Sequence, residues 1–344
     1  FIVCIYSNEN LFSISHSGYL NAYAINRISD GSVIKVPFKM LTYNLNMDYK
    51  DFNFKTNFGL EHKIINFNAS LPLSDQFYNL LSIYNVDYTA ELRECYLSYF
   101  PSFGEIRIGK QLHTWGAVDI NSPIDIINPL NYYYLFTDLD ETKIGVLSAA
   151  IDIYLSSFKL GLVFIPEHDI NLIPENDPNF PIALPISPED YQFLELTNSA
   201  QYGGYIQKSF ESFDIATYYF SGYDHTFNLY GASLFFDQYN FNEVTDTIFT
   251  YRKTEMLAIA GTGFLGDLTI RTDFAYFQSD DQTYDIESRP YNGQDTLINF
   301  IDFPNWEVSH HFDISAEYYQ YNLQLEYPLP WGIDVTAQLF GYET

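Results

Sequence analysis

The sequence predicts an all-β protein, an antiparallel transmembrane β-barrel of about 14 to 18 strands, with short turns at one end and long loops at the other. Three observations carry that prediction. Polar and apolar side chains change places at every second position along most of the chain, connections alternate between short and long, and no run of about 18 apolar residues exists that would make a membrane helix.

The alternation is plainest near the start. Leu41, Tyr43, Leu45, Met47 and Tyr49 are apolar, whereas Thr42, Asn44, Asn46 and Asp48 between them are polar. Past Lys50-Asp51, Phe52, Phe54, Phe58 and Leu60 oppose Asn53, Lys55, Asn57 and Glu61. A side-chain period of two means strand. The same pattern recurs at Leu147 to Leu155, Phe158 to Phe164, Leu268 to Tyr276, Tyr319 to Tyr327 and Ile333 to Leu339. Each segment is about ten residues or slightly more, which a tilted strand needs to cross a bilayer. A soluble sandwich would bury the apolar rows, while a membrane barrel turns them to lipid around a polar lumen. Aromatic residues make up 19% of the chain, with 31 Tyr and 30 Phe, a supply suited to girdles at two membrane interfaces.

Short turns are expected at Lys50-Asp51, Pro101 to Gly104, Ser156-Ser157, Glu211-Ser212, Gly266-Asp267 and Pro328 to Pro330. Long polar links lie at Ile64 to Tyr84, Gly116 to Thr142, Pro166 to Asn198 and Ser279 to His311. Outer-membrane barrels sort their loops this way, and a sandwich has no reason to. Counting strands between the links gives roughly 15, with Asn228 to Lys253 ambiguous; because such barrels are even-numbered, about 16 is expected, enough to leave an aqueous channel. The chain ends at Gly341-Tyr342-Glu343-Thr344 without a terminal aromatic residue, which suggests truncation there. Residues 1–7 read as the remnant of a secretory leader, cleaved near Ser7, and residues 8–344 as a single barrel domain.

The formal net charge is -28, which disfavours nucleic acid as a partner. Solvated acidic loops account for it, as would a cation-attracting vestibule or loops sharing divalent cations with lipopolysaccharide. The two cysteines, Cys4 and Cys95, imply no disulfide framework.

One stretch departs from the repeat: Gly104-Glu105-Ile106-Arg107-Ile108-Gly109-Lys110-Gln111-Leu112-His113-Thr114-Trp115-Gly116, continuing to Asp125, Asn128 and Pro129. It resembles a porin-like family of outer-membrane β-barrels marked by Arg-x-Gly-Lys-Gln, then Trp-Gly, then Asp-x-x-Asn-Pro, through Arg107, Gly109, Lys110, Gln111, Trp115, Gly116, Asn121, Asp125, Asn128 and Pro129. The preceding Leu92-Arg93-Glu94-Cys95-Tyr96-Leu97 is similar to the family's Arg-Glu-Ala-Tyr strand, with Cys95 in place of Ala. Ser122 departs from the pattern by separating Asn121 from Pro123. Similar motifs mark alginate-export-like and anion-selective porins. The resemblance therefore implies a barrel that acts as a channel or export pore, with no catalytic residues.

The lumen and constriction candidates are Glu94, Arg107, Lys110, Gln111, His113, Trp115, Asp119, Asn121, Asp125 and Asn128. Arg107 is expected in the lumen with Glu94 as partner. A bulge at Gly109 would turn Lys110 inward; otherwise Lys110 belongs near the rim, since a lipid-facing Lys at the midplane costs about 2–4 kcal/mol. Asp125 and Asn128 are expected to cap turns, with Pro129 fixing the exit. Two roles stay open for the segment, anchoring a loop that folds into the pore or direct solute contact by Arg107, Lys110, Gln111 or His113.

His310-His311 point to opposite sides of a strand, and Asp280-Asp281 with Asp285 and Glu287 lack calcium-loop glycines, so no metal or cofactor is expected. No nucleophile is singled out with a base, so no enzyme is expected. The leading expectation is passive passage of small hydrophilic solutes through an outer membrane, in contact with lipid and lipopolysaccharide, as a monomer or homo-oligomer. The rival is an export or lipid- and polymer-transfer barrel working with periplasmic partners.

Overall fold

The computed structural model describes residues 3–6, 12–22, 25–31, 33–34, 37–64, 86–134, 142–174, 188–196, 198–237, 240–280 and 305–344. Residues 65–84 of the expected link Ile64 to Tyr84 and the acids Asp281, Asp285 and Glu287 lie outside them. The chain forms two compact units. The first is Phe1–Thr114, Asp125–Ile165 and Asp169–Pro185; the second is Trp115–Ile124, Pro166–His168 and Ile186–Thr344.

In the first unit the strands are β1 (Val3–Tyr6), β2 (Phe12–Leu20), β3 (Ile25–Asn26), β4 (Val33–Ile34), β5 (Phe38–Tyr49), β6 (Phe52–Ile64), β7 (Val86–Tyr99), β8 (Gly104–Gln111), β9 (Val146–Leu155) and β10 (Phe158–Ile165). They run β1-β2-β5-β6-β7-β8-β9-β10, with β3 and β4 forming a small hairpin apart. Val3–Tyr6, the segment read as leader, lies beside β2 with Val3 opposite His16. Short turns join β5 to β6, β7 to β8 and β9 to β10, where Lys50 (φ 54°) and Ser156 (φ 53°) adopt the left-handed conformation that matches a two-residue turn to the strand twist.

In the second unit the strands are β11 (Gln201–Ser209), β12 (Phe213–Tyr223), β13 (Asn228–Asp237), β14 (Asn240–Thr250), β15 (Lys253–Leu265), β16 (Leu268–Asp280), β17 (Asn305–His311), β18 (Ala316–Leu329) and β19 (Ile333–Glu343). The order is β11-β12-β15-β16-β18-β19, while β14-β13-β17 form a separate sheet. The ambiguous Asn228 to Lys253 region is therefore mostly a hairpin outside the main order, because β12 pairs directly with β15. Among the described residues eight strands of the first unit and six of the second follow the main order, the lower end of the expected count. The last short turn sits at 330–332 rather than Pro328 to Pro330, because Pro328 and Leu329 stay opposite Asp334 and Ile333.

Burial runs opposite to a soluble protein. Asp273 is 0% exposed and Asn322 and Gln324 are 1%, yet Leu257 is 61%, Ile259 42% and Leu339 61% exposed. In the first unit Ser98, Ser148 and Asp152 are buried while Leu97, Ile108 and Leu147 are exposed. Apolar rows this extensive on a surface need lipid or a partner to cover them. Both units thus carry the antiparallel wall of the transmembrane β-barrel class that the alternation predicts.

The face inversion makes a signed prediction. Ile259 is near the middle of the 13-residue β15, so Ile259→Arg should destabilise the folded protein in phosphatidylcholine vesicles by about 2–4 kcal/mol in urea titrations. A change within about 0.5 kcal/mol, as at an ordinary solvated surface, would contradict a lipid-facing row.

Candidate functional site

In the first unit the motif strand β8 carries a compensated charge row. Arg107 donates to Asp152 at 3.1 Å and lies 3.9 Å from Glu105, and Lys159 approaches Asp152 at 3.5 Å. Glu105 also accepts from Ser98 at 2.9 Å. The expected Arg107–Glu94 pair is absent among these contacts. Register explains it: Arg107 is opposite Ser98, four residues along from Glu94, which pairs with Lys55 at 3.1 Å instead.

Gly109 does not bulge the strand. Its register to β7 and β9 is unbroken, and the shift in this part of the sheet falls at Arg93, skipped between the Asn57–Glu94 and Phe58–Leu92 pairs. Gly109 has φ +133°, and a Cβ there would sit 2.3 Å from the Cys95 carbonyl oxygen, so the position requires glycine for close approach to β7. Lys110 consequently stays in the row of Leu147, its partner on β9, one residue from the strand end. The bulge expected to turn Lys110 inward is therefore not present at Gly109.

Past β8 the chain is tied by side chains. Asn128 accepts from the His113 amide at 2.7 Å and donates to the carbonyls of Gln111 at 3.2 Å and Ile144 at 2.8 Å. It clamps the outgoing and returning ends of the link rather than capping one turn. The Gln111 side chain donates to the Ser148 carbonyl at 2.9 Å. Lys143 pairs with Asp125 and donates to the His113 carbonyl at 3.1 Å, so Asp125 serves an ion pair. The His113 ring contacts Ser148 Oγ at 3.0 Å, and its pKa is pushed down to about 4 by burial, helped by Arg107 and Lys143 and opposed by Asp152.

In the second unit the segment Trp115–Ile124 is fastened to the polar rows of β16 and β18. The buried Asp273 carboxylate accepts from the Ala117 amide at 2.8 Å, the Val118 amide at 3.3 Å and Ser122 Oγ at 2.6 Å. Gln324 accepts from the Asp119 amide at 3.0 Å and donates to the Asp119 carboxylate at 2.6 Å. Asn322 donates to the carbonyls of Ile120 at 3.1 Å and Asn121 at 3.2 Å. Arg271 joins Asp119 at 2.8 Å and Glu326 at 3.1 Å. Asn121 adopts a left-handed φ of 58°, which asparagine tolerates better than most residues.

Gly116 has φ +94°, and an added Cβ would lie 2.2 Å from Ser122 Oγ and 2.5 Å from Asp273 Oδ2. The Trp-Gly pair is thereby explained. Gly116 lets the backbone close on Asp273, while the Trp115 ring packs against Tyr218 and Tyr205 at centroid distances of 5.3 and 6.0 Å. Ser122, which separates Asn121 from Pro123, supplies the third hydrogen bond to Asp273 and accepts from the Ile124 amide at 3.2 Å.

The second unit also has an ordered cap. The links leading into β11, β15 and β18 share the buried Tyr230 and Ile248, with Leu194 and Ile314 packed against them. In the same unit the His168 ring stacks on His225 at 5.4 Å and 4° and meets Tyr251 edge-on at 4.8 Å. Burial, with His225 beside it, pushes the His168 pKa down to about 3. His311 stacks on Tyr230 at 5.8 Å, so it serves packing. No sequence pattern marks this cap, because its partners come from three distant links.

Two outcomes follow. The folded pKa of His113 lies below its unfolded value near 6.5, so the unfolded link takes up protons first. The stability from keeping the ring neutral is full above pH 6.5 and falls as pH drops towards 4, by roughly 3 kcal/mol. Protection of the Gln111 and Ile144 amides, as the exchange rate relative to the intrinsic rate at each pH, should fall over that window as pH drops and stay constant in His113→Phe; an identical slope in that variant would remove His113 as the cause. Gly116→Ala should release the Trp115–Ile124 segment to limited proteolysis while the heat-shifted electrophoretic mobility of the folded wall persists. Unchanged cleavage would contradict the close approach.

No family model and no curated protein matches the sequence. Among solved structures, the chain is similar to OmpT (in-vitro folded), an outer membrane protein of Vibrio cholerae, at 10% identity and TM-score 0.44, covering 96% of this chain and 87% of that one. It is also similar to OmpF of Salmonella typhi in complex with daunomycin, at 12% identity and TM-score 0.30, covering 98% and 92%. A third is OccAB1 of Acinetobacter baumannii, at 10% identity and TM-score 0.30, covering 96% and 89%. Likenesses at these scores do not define a function.

Proposed function

We propose that the chain is a porin-like channel of a bacterial outer membrane, passing small hydrophilic solutes along its polar face, narrowed by the Trp115–Ile124 segment. The observation that carries this reading is the fastening of that segment to Asp273, Asn322 and Gln324, residues of the polar rows rather than the lipid-facing ones. A face built of polar side chains favours hydrated solutes over apolar ones. Lys55, Arg107, Lys159 and Arg271 on those rows each have an acidic partner, which leaves the acidic balance of the chain to favour cations.

The rival lipid- or polymer-transfer reading needs an accessible aromatic path. Phe220, Met256 and Phe277 on the inner rows of the second unit are instead 1%, 1% and 3% exposed, so they form packing rather than a track.

Reconstitution in planar bilayers tests the proposal. Discrete conductance steps with a cation-favouring reversal potential are expected, and Asp273→Ala, which unfastens the segment, should enlarge the steps. Absence of conductance, or a marked anion preference, would contradict the reading.

A further inference from the structure

We infer that a small cavity in the second unit is a binding subsite for a compact hydroxylated primary ammonium. The cavity, about 110 Å³, is bounded by Gly116-Ala117 of the fastened segment and by inward residues of β11, β12 and β15. Its shape follows from the register. Gln207, Ala216 and Ala260 form one row across the three strands, and Asp214 lies opposite Thr262 in the next. The adjacent alanines of the first row, Ala216 and Ala260, leave the space, while Gln207, Asp214 and Thr262 place an amide, a carboxylate and a hydroxyl around it. Tyr218, packed on Trp115 and Tyr205, walls one side.

Charge selects the ligand. The neighbouring cation is Arg271, opposite Thr262, and it is held by Asp119 at 2.8 Å and Glu326 at 3.1 Å. The Asp214 carboxylate has no hydrogen bond or ion pair among the described residues, so the cavity carries one uncompensated carboxylate beside an amide and a hydroxyl. A single carboxylate is a poor site for a bare divalent ion, which seeks six or more oxygen ligands. It suits an ammonium group, which donates to the carboxylate while a hydroxyl on the same molecule meets Gln207 and Thr262. The volume admits a molecule of only a few heavy atoms, and a Tyr ring adds attraction for a cation near its face.

The inference deepens the channel reading, and two separate readouts keep the two apart. Saturation-transfer NMR on the folded chain in detergent, with ethanolamine as probe and ethylene glycol as its neutral counterpart, should show saturable binding of ethanolamine alone. Asp214→Asn, which removes the charge, and Ala216→Leu, which fills the space, should each weaken it at least tenfold. Gln207→Ala replaces Ala216→Leu if that variant loses its heat-shifted mobility. Equal binding of ethylene glycol, or wild-type affinity in either variant, would overturn the subsite. In parallel bilayer recordings, current without ethanolamine binding would overturn the subsite and leave the channel standing. Binding without current would overturn the channel and leave the subsite.

Discussion

A polar side chain walled off from water must find partners, and on an inside-out sheet those partners have to come from loops folded back on the polar face. Asp273 is where this requirement is most acute. It lies between Ala260 and Asn322, is fully buried, and has no cation in hydrogen-bond reach among the contacts it makes. Its three hydrogen bonds from Ala117, Val118 and Ser122 satisfy the carboxylate and the backbone of the segment together. Hydrogen bonds to a charged group contribute about 1.5–3 kcal/mol each, and a buried carboxylate left unpaired is strongly unfavourable. Each partner therefore depends on the other, and the positions of Trp115, Asp119 and Asn121 follow from that dependence.

The first unit meets the same requirement differently. Its buried Asp152 is held by Arg107 and Lys159, and its link ends are clasped by the one Asn128 side chain. Removing Asn128 would strand an amide and two carbonyls at once. The motif residues are thus structural before they are functional. Arg107, Gln111 and Asn128 are occupied in holding the wall and link.

Strands and turns were legible because a period of two and the left-handed turn residues are local signals. Lys50, Ser156 and Gly266 fall where the composition places turns. Gly109 and Trp115-Gly116 were visible as a break in the pattern, but their reasons were not. Gly109 answers to the Cys95 carbonyl and Gly116 to Asp273, contacts made across strands far apart in sequence. Pairing Arg107 with Glu94 failed for the same reason, since adjacent strands were known but their register was not. Ser122 looked like a defect in an Asn-Pro turn because its partner is 151 residues away. The β14-β13-β17 sheet is not legible in the sequence because its three strands come from links rather than from the wall order.

The most direct measurement is amide hydrogen exchange at Ala117, Val118 and Asp119 in the lipid-embedded protein. If the polar face holds this segment through Asp273 and Gln324, these three amides exchange as slowly as their partners in β16 and β18. Exchange at the rate of an unstructured peptide, with the strands still protected, would show that the segment is not fastened there and would contradict the account.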